Sequence, residues 1–281
     1  MPPLLHPALA AASTCACTAL AAWCNRRWVG WLPDDLPRPG RKQHARPIPL
    51  AGIVLVPALA PWLAAAHAWL LAGLVLAGVV GFVDDWHKER GVDFDWRKKG
   101  LGLAVASAAA ATDVVLPHAA PWTWLATAGF VFVLTNATNF LDNTDGVATA
   151  LAATSLLVLG AADAAAAVVG GAALGFLPWN WPRPRLFLGD SGAYALGLAT
   201  GAFAARAAAV QPVLLATVAL QLADFVQVVT ARLWLHLPPW VGDRRHLTHI
   251  AMNLGLPRPA VAPVFAATAL LLGLLAVGGT R

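Results

Sequence analysis

The stretch NATNFLDNTDG, residues 136–146, places Asn136, Asn139, Asp142, Asn143 and Asp145 between two apolar runs, WLATAGFVFVLT (124–135) and VATALAATSLLVLG (147–160). Either run could lie in a bilayer. Asn136, Asn139 and Asp142 recur at steps of three. Each step drifts by about 60° on a helix, so neighbours share a face while the whole set wraps around the helix end. That arrangement suits the lining of a pocket more than a single polar stripe. Carboxylate and amide oxygens are also hard ligands of the kind that suit Mg²⁺, which keeps some waters and binds substrate phosphates.

The remainder of the chain explains the apolar flanks. Of its 281 residues, 59% are hydrophobic and only 12% charged, with a mean hydropathy of +0.65. A soluble domain carries about a quarter charged residues, so the composition excludes an ordinary soluble enzyme and indicates an integral membrane protein. The 24 Gly and 21 Pro agree with membrane helices, where both are frequent. Cys15, Cys17 and Cys24 form no C-x-x-C or Cys/His cluster and read as buried thiols, with no disulfide framework or zinc site. The first apolar segment lacks an obvious cleavage site and reads as a membrane span, not a removed signal peptide.

Seventeen of the 19 Lys and Arg fall in segments 26–46, 88–99, 183–185 and 232–258; only Arg206 and Arg281 lie elsewhere. The apolar intervals between the polar segments, 51–83, 100–135, 146–179 and 191–231, run to roughly 33–41 residues each. One membrane helix needs about 20. Each interval is therefore expected to hold a tight two-span hairpin, broken near His67 and Trp69, Asp113 to Pro121, Asp163, and Arg206 to Pro212. Single spans at about 3–24 and 258–280 bring the expectation to ten helices in one all-α, multi-pass domain over 1–281. Hairpins return the chain to the side it left. All the basic loops then share one side, which the positive-inside rule makes cytoplasmic, with both termini outside.

Four further polar segments join the opening stretch on that face. They are DDLPRPGRKQHARPIPLAG (34–52), GFVDDWHKERGVDFDWRKKGLG (81–102), NWPRPRLFLGDSGAYALG (180–197) and VGDRRHLTHIAMNLG (241–255). Carboxylates at span ends persist when they line a polar cavity or hold a cation. In GDSG, the glycines flanking Asp190 and Ser191 at a helix start would let free N–H groups meet an anion. Taken singly, Asp84-Asp85 could cap a loop, GDSG could be an ordinary helix start, His246 and His249 could be interfacial, and RKQHARPIP could be a positive-inside anchor. Together they set an acidic group able to hold a divalent cation against a basic and histidine group able to hold phosphates.

These residues resemble the polyprenyl-phosphate N-acetylhexosamine-1-phosphate transferases, the family that includes phospho-N-acetylmuramoyl-pentapeptide transferase. The resemblance covers nearly the whole chain. Its R-K-x-H-x-x-P-x-P signature matches Arg41, Lys42, His44, Pro47 and Pro49; G-x-x-D-D matches Gly81, Asp84 and Asp85. N-A-x-N-x-x-D-x-x-D-G matches Asn136, Ala137, Asn139, Asp142, Asp145 and Gly146. F-x-G-D-x-G matches Phe187, Gly189, Asp190 and Gly192, and D-R-x-H-x-x-H matches Asp243, Arg244, His246 and His249. The family's ten-helix, both-ends-out topology agrees with the count above. The chain departs in Asn143-Thr144 inside the third motif, in Thr248 where many relatives have His, and in Leu103 where a Gln often follows the motif lysine. Lys99 fits that lysine, with Lys98 an equally close candidate.

The resemblance implies transfer of a sugar-1-phosphate from a UDP-sugar to polyprenyl (undecaprenyl) phosphate in the plasma (inner) membrane, with release of UMP, as the first membrane step of a cell-envelope glycan. It implies Mg²⁺, with Mn²⁺ as a substitute, held by Asp190 first and Asn139 second. His246 and His249 would act with the Asp84-Asp85 pair as the catalytic set, the pair serving as general base or as positioner of a lysine or metal-bound water. Lys42, His44, Lys99, Asn136, Asp142, Asp145, Arg244 and Arg245 would bind substrate, with Asp142 and Asp145 on the nucleotide. No long basic insertion is available to hold a pentapeptide, so UDP-N-acetylglucosamine is the expected donor. Arg245 is expected to replace the positive charge lost at Thr248, making Thr248→His tolerable. Membrane lipids are expected partners, nucleic acid is not, and homodimerisation is left open. The alternatives are a secondary transporter, whose ionisable groups would sit near the midplane as only Asp224 does here, and an inactive scaffold of the same fold.

Overall fold

The computed structural model describes residues 4–27, 30–37, 46–115, 120–240 and 242–279. Its helices fall where the hairpin reading places them. They are α1 (Leu5–Arg27), α2 (Leu55–Leu63, entered through a 3₁₀ turn at Gly52–Val54), α3 (Ala68–Glu89), α4 (Trp96–Val114), α5 (Pro121–Leu141) and α6 (Val147–Leu159). There follow α7 (Ala164–Asn180), α8 (Gly189–Ala208), α9 (Ala219–Trp234, entered through a 3₁₀ segment at Pro212–Val218), a short α10 (Leu247–Asn253) and α11 (Arg258–Gly278). A two-residue antiparallel ribbon, β1 (Asp34–Asp35) with β2 (Ile48–Pro49), is a small exception to the all-α expectation.

Among the described residues, five segments are long and apolar enough to cross a membrane: Leu5–Arg27, Ala68–Glu89, Pro121–Leu141, Pro212–Trp234 and Arg258–Gly278. Gly52–Leu63, Val147–Leu159 and Ala164–Asn180 are apolar but shorter than 18 residues. Against the expectation of ten spans, the described residues form eleven helices, one of them the seven-residue α10, and five segments meet the length and apolarity of a span. Two causes act: α2 and α6, at 9 and 13 residues, fall short of the roughly 17–25 residues a span needs, whereas α4 and α8, at 19 and 20 residues, are long enough but not apolar enough. The sequence estimate for the first span, 3–24, also stops a turn early, since α1 continues through Arg26 and Arg27.

Helix α8 is the centre of the bundle, buried along nearly its whole length among α3, α4, α5 and α6. Its sequence, GDSGAYALGLATGAFAARAA, is dominated by small residues that let neighbouring backbones approach. Helix α1 packs on α7, and α11 on α6. Without a water-driven force between apolar helices in lipid, such close packing is the main source of association. The three cysteines of α1 are free and half-buried, not buried.

The two ends of the bundle differ. At one end the polar segments meet: Leu50 bridges Phe187, Lys88 reaches Asp190, Asn143 accepts from Thr248, and Arg258 clasps Asp145. At the other end the remaining connections meet through His67–Asp113 (2.9 Å) and Arg206–Asp163 (3.1 Å). Arg206, one of the two basic residues outside the clusters, is thereby paired at the opposite end.

Candidate active site

The polar end is organised around the start of α8. Gly81 of α3 faces the backbone of Ser191 so closely that a Cβ there would overlap it. That contact brings Asp84 and Asp85, both only 2% exposed, up to Asp190. The two aspartates then take different parts. Asp85 accepts from the backbone N–H of Asp190 (3.1 Å) and of Ser191 (3.2 Å), one on each carboxylate oxygen. It is a capping anion for α8, supplied by another helix and favoured by the N–H groups and dipole there. The expectation that these N–H groups would await a ligand anion is corrected: Asp85 already occupies them.

Asp84 instead holds lysines. Its Oδ2 lies 2.8 Å from Lys88 Nζ and 3.0 Å from Lys99 Nζ. Lys88 also donates to Asp190 Oδ2 at 2.7 Å, so one ammonium bridges two carboxylates from different helices. Tyr194 donates to the same Asp190 oxygen at 3.3 Å, and Asn139 donates its amide to Asp190 Oδ1 at 3.0 Å. The choice between Lys98 and Lys99 is decided here: Lys98 is exposed, whereas Lys99 points inward. Leu103, where a Gln was weighed, is buried in the core. Lys88 was not among the expected site residues, although its i,i+4 spacing from Asp84 on a helix was a usable signal.

A second half is built from α9, α10 and the connection between them. Asp224, wholly buried on α9, accepts from the Leu247 N–H (2.6 Å) and lies 2.8 Å from His246 Nδ1. It caps α10 and fixes the imidazole so that Nε2 is the nitrogen left to act. His249 follows with its ring centroid 5.9 Å from that of His246. Buried Arg232 holds the connecting loop through Asp243 (3.0 Å) and the Pro239 carbonyl (2.5 Å), and it stacks over Phe140 at 4.7 Å. Burial disfavours ionisation of Asp243. The hydrogen bonds from Arg232 and from the backbone and guanidinium of Arg245 outweigh it and hold the carboxyl at about 2. Asp224 was noticed in the sequence only as a deep carboxylate; its pairing with His246, and that of Arg232 with Asp243, had no local spacing to announce it.

The end of α5 joins the halves. Asn139 reaches Asp190 while the adjacent Phe140 sets its ring edge-on to His246, with centroids 5.5 Å apart. The turn that follows closes at Gly146, whose φ of 72° is a left-handed conformation that glycine adopts without Cβ strain. Within it Asp145 is engaged by Arg258 at 3.0 and 2.9 Å, a bidentate pair that ties the turn to α11. Asn136 donates to the Phe132 carbonyl of its own helix (2.8 Å). Asp142 is half-buried in the same turn, and Arg244 is exposed beside His246. Lys42 and His44, with Arg41, lie outside the described residues.

Thr248 overturns one expectation. It is fully buried, and its hydroxyl donates to Asn143 Oδ1 at 2.6 Å, linking α10 to the turn after α5. An imidazole there would have to displace that packing, so Thr248→His is not a neutral exchange. Arg245 cannot be read as its substitute charge either, because its guanidinium is 2.9 Å from Asp243 Oδ2.

With every carboxyl ionised, Asp84, Asp85 and Asp190 face two ammonium groups, leaving one negative charge for N–H dipoles or a further cation to balance. Among the described residues no group of three or more His, Cys, Asp or Glu is placed to hold a metal ion. Asp190 and Asn139 offer hard oxygen donors of the type Mg²⁺ takes, its further ligands being phosphates and water.

Fold and site together define a helical membrane protein with an acid-and-lysine centre facing a histidine pair. Residues 67–208 match the model of glycosyl transferase family 4, and the chain belongs to that family. The matched region runs from the start of α3 to the end of α8, so it contains Asp84, Asp85, Asn139, Asp142, Asp145 and Asp190. The chain is 30% identical over 257 residues to a Streptomyces coelicolor protein carrying a provisional glycosyltransferase name, covering 82% of this chain and 60% of that one. It is 36% identical over 156 residues to the phospho-N-acetylmuramoyl-pentapeptide-transferase of Trichormus variabilis, covering 45% of this chain and 42% of the relative. With the enzyme of the same name from Acetivibrio thermocellus it shares 30% over 205 residues, or 61% and 62% of the two chains. The chain thus spans about 42–62% of the length of these relatives.

Proposed function

We propose that the protein is a membrane phosphoglycosyl transferase that moves a sugar-1-phosphate, N-acetylglucosamine-1-phosphate in the first instance, from a UDP-sugar to a polyprenyl phosphate. The observation that carries this reading is the meeting of two sets across the end of α5. On one side Asp190 and Asp84 share Lys88, and Lys99 joins them; on the other Asp224 orients His246 beside His249. Phosphoryl transfer needs little covalent help from a protein and is mostly positioning and charge neutralisation. Lysines, histidines and Arg244 supply that for three phosphates meeting at one place.

In the reaction, an oxygen of the lipid phosphate forms a bond to the sugar-bearing phosphorus. The bond from that phosphorus to the bridging oxygen breaks, and UMP leaves with the electron pair. A phosphate monoester has its second pKa near 6 and is largely dianionic at neutral pH, so a general base is unnecessary. Asp84, with its outer oxygen between two ammonium groups, is read as the residue that aims Lys88 and Lys99. Mg²⁺, when bound, supplies Lewis-acid neutralisation of the diphosphate. Asp190 would hold it, with Asn139 Oδ1 as the second oxygen, and Lys88 would release Asp190 to do so. The lipid chain fits an open, almost wholly apolar groove of about 640 Å³ on the outer face of α9, lined by Ala223, Val226, Gln227, Thr230, Ala231, Trp234 and Leu235. The positive-inside rule, applied to the basic loops, supports a cytoplasmic orientation for this polar end.

Purified protein in lipid discs with undecaprenyl phosphate and UDP-N-acetylglucosamine should release UMP, stop with EDTA and resume with Mg²⁺ or Mn²⁺. Turnover only with UDP-N-acetylmuramoyl-pentapeptide would overturn the donor assignment, and no UMP from any UDP-sugar would overturn the reaction.

The histidine half gives a pH prediction. Burial, then the neighbouring His246 and Arg244, holds His249 below the usual histidine value, so it is neutral at pH 7. A bound diphosphate favours the protonated ring. The complex then binds more protons than the free protein, and affinity must rise as pH falls below about 6.5. The diphosphate diester of a UDP-sugar does not itself titrate there. Calorimetry should give roughly three- to tenfold tighter UDP-sugar binding at pH 5.5 than at pH 7.5. His249→Gln should flatten the profile, and an unchanged slope in that variant would remove His249 from the phosphate site.

A further inference from the structure

A second cleft, of about 510 Å³, opens on the other side of the segment that leads into the Asp190 loop. It lies between the ends of α1 and α7 and is lined by Asn25, Arg26, Arg46, Trp179 and Arg185, with apolar residues from Ala22 and residues 47–49, 184 and 186. Three arginines line it, and among the described residues no acidic side chain does. That volume falls in the roughly 300–1,000 Å³ range of small-ligand sites. We propose that this cleft binds the phosphate-bearing headgroup of an anionic phospholipid of the surrounding bilayer.

Several independent features support the assignment. The walls are held by the backbone: Arg185 and Leu186 both donate to the Trp179 carbonyl (2.9 and 3.1 Å), and Phe187 donates to the Pro49 carbonyl (2.9 Å). Asn25 accepts from the Leu32 N–H at 3.0 Å, so its amide oxygen is used and its NH₂ is the group available to a ligand. Trp179 lines the cleft, and its indole N–H, buried in the wall, has no acceptor among the described residues. The position is right for a lipid: α1 is an apolar helix long enough to cross a membrane, and exposed Trp23 and Trp31 flank the arginine end as an interfacial belt does. Basic pockets between membrane helices suit lipid phosphates because guanidinium groups bind them bidentately. The site is separate from the Asp84–Asp190 centre but shares a strand with it. Leu50 bridges Phe187, and Ala51 donates to the Phe187 carbonyl at 2.9 Å, three residues before Asp190. A filled cleft would therefore brace the loop that carries Asp190.

The test reads binding and does not depend on the proposed reaction. Native mass spectrometry of the detergent-solubilised protein, titrated with phosphatidylglycerol or phosphatidylcholine, should show one phosphatidylglycerol held at least tenfold tighter than phosphatidylcholine. Arg26→Gln with Arg185→Gln should abolish that preference while the melting temperature stays within a few degrees. Each single variant should weaken binding by an intermediate factor, which keeps the result readable if the double variant fails to fold. Equal retention of both lipids, or unchanged phosphatidylglycerol binding in the variants, overturns the proposal. Inorganic phosphate binding to the wild type at low millimolar concentration without any selective lipid binding would assign the cleft to a free anion and overturn the lipid reading. In discs, loss of the proposed transferase activity with intact lipid preference would count against the reaction and leave the cleft standing.

Discussion

Asp190→Asn is expected to lower transferase turnover by about 10³-fold, the scale seen when a single electrostatic contributor to a transition state is removed. The wild-type carboxylate is shared by Lys88, Asn139 and Tyr194, and it is the one acidic group that both helix packing and the lysine bridge direct into the site. Asparagine keeps the shape and one acceptor oxygen but loses the charge that would hold a divalent cation. Lys88 retains Asp84 as a partner at 2.8 Å, so the fold should survive. The measurements are UMP release, thermal unfolding in detergent, and Mn²⁺ binding by electron paramagnetic resonance. Turnover within a few-fold of wild type would sink the assignment of Asp190 as metal ligand, and so would unchanged Mn²⁺ affinity.

The second large effect is expected at Asp85, for a different reason. Both its oxygens accept backbone N–H groups of α8. In Asp85→Asn one oxygen becomes an NH₂ that points at a donor, leaving a buried N–H unpaired. Losing a hydrogen bond to a charged acceptor costs about 1.5–3 kcal/mol, and here the lost bond also sets the position of Asp190. Stability and turnover should therefore fall together, turnover by about 10²-fold or more if Asp190 shifts by about 1 Å, with the shape of the pH–rate profile unchanged. Asp84→Asn, which weakens the hold on two lysines, should retain partial activity. A steep rate increase through pH 6–7 that vanishes in Asp85→Asn at unaltered melting temperature would instead make Asp85 a general base.

The family and the helical segmentation were legible in the sequence. Hydropathy, charge clustering and motif spacing are local properties, and they placed the hairpin breaks: the breaks at 64–67, 160–163 and 209–211, and the interval between the end of α4 and the start of α5, all fall inside or beside the expected ones. Asp84, Asp85, Asn139, Asp190, His246 and His249 were likewise named from spacing and resemblance, and the fold brings them to one end of the bundle. The length of each span was less legible, because small-residue helices such as α8 and short ones such as α6 are buried by neighbours instead of by lipid.

What each residue touches was decided only by the tertiary structure. Two adjacent aspartates look alike in a sequence, but successive positions on a helix point about 100° apart, so Asp85 meets the α8 backbone and Asp84 meets the lysines. Lys99 rather than Lys98 turns inward for the same reason. Lys88 reaches Asp190, 102 positions along the chain, and Thr248 with Asn143 spans 105. Such pairings depend on how whole helices pack, so no window of sequence contains them. The burial of Thr248 and the engagement of Arg245 by Asp243 follow from that packing too, which is why the charge-replacement idea, sound as local chemistry, fails in three dimensions. The sequence determined that this chain is a helical membrane protein of glycosyl transferase family 4 with acidic, basic and histidine motifs at its polar connections. Tertiary packing decided which of those charges hold the helices and which face the site, because buried charges in a low-dielectric interior must find partners, and the partners come from distant parts of the chain.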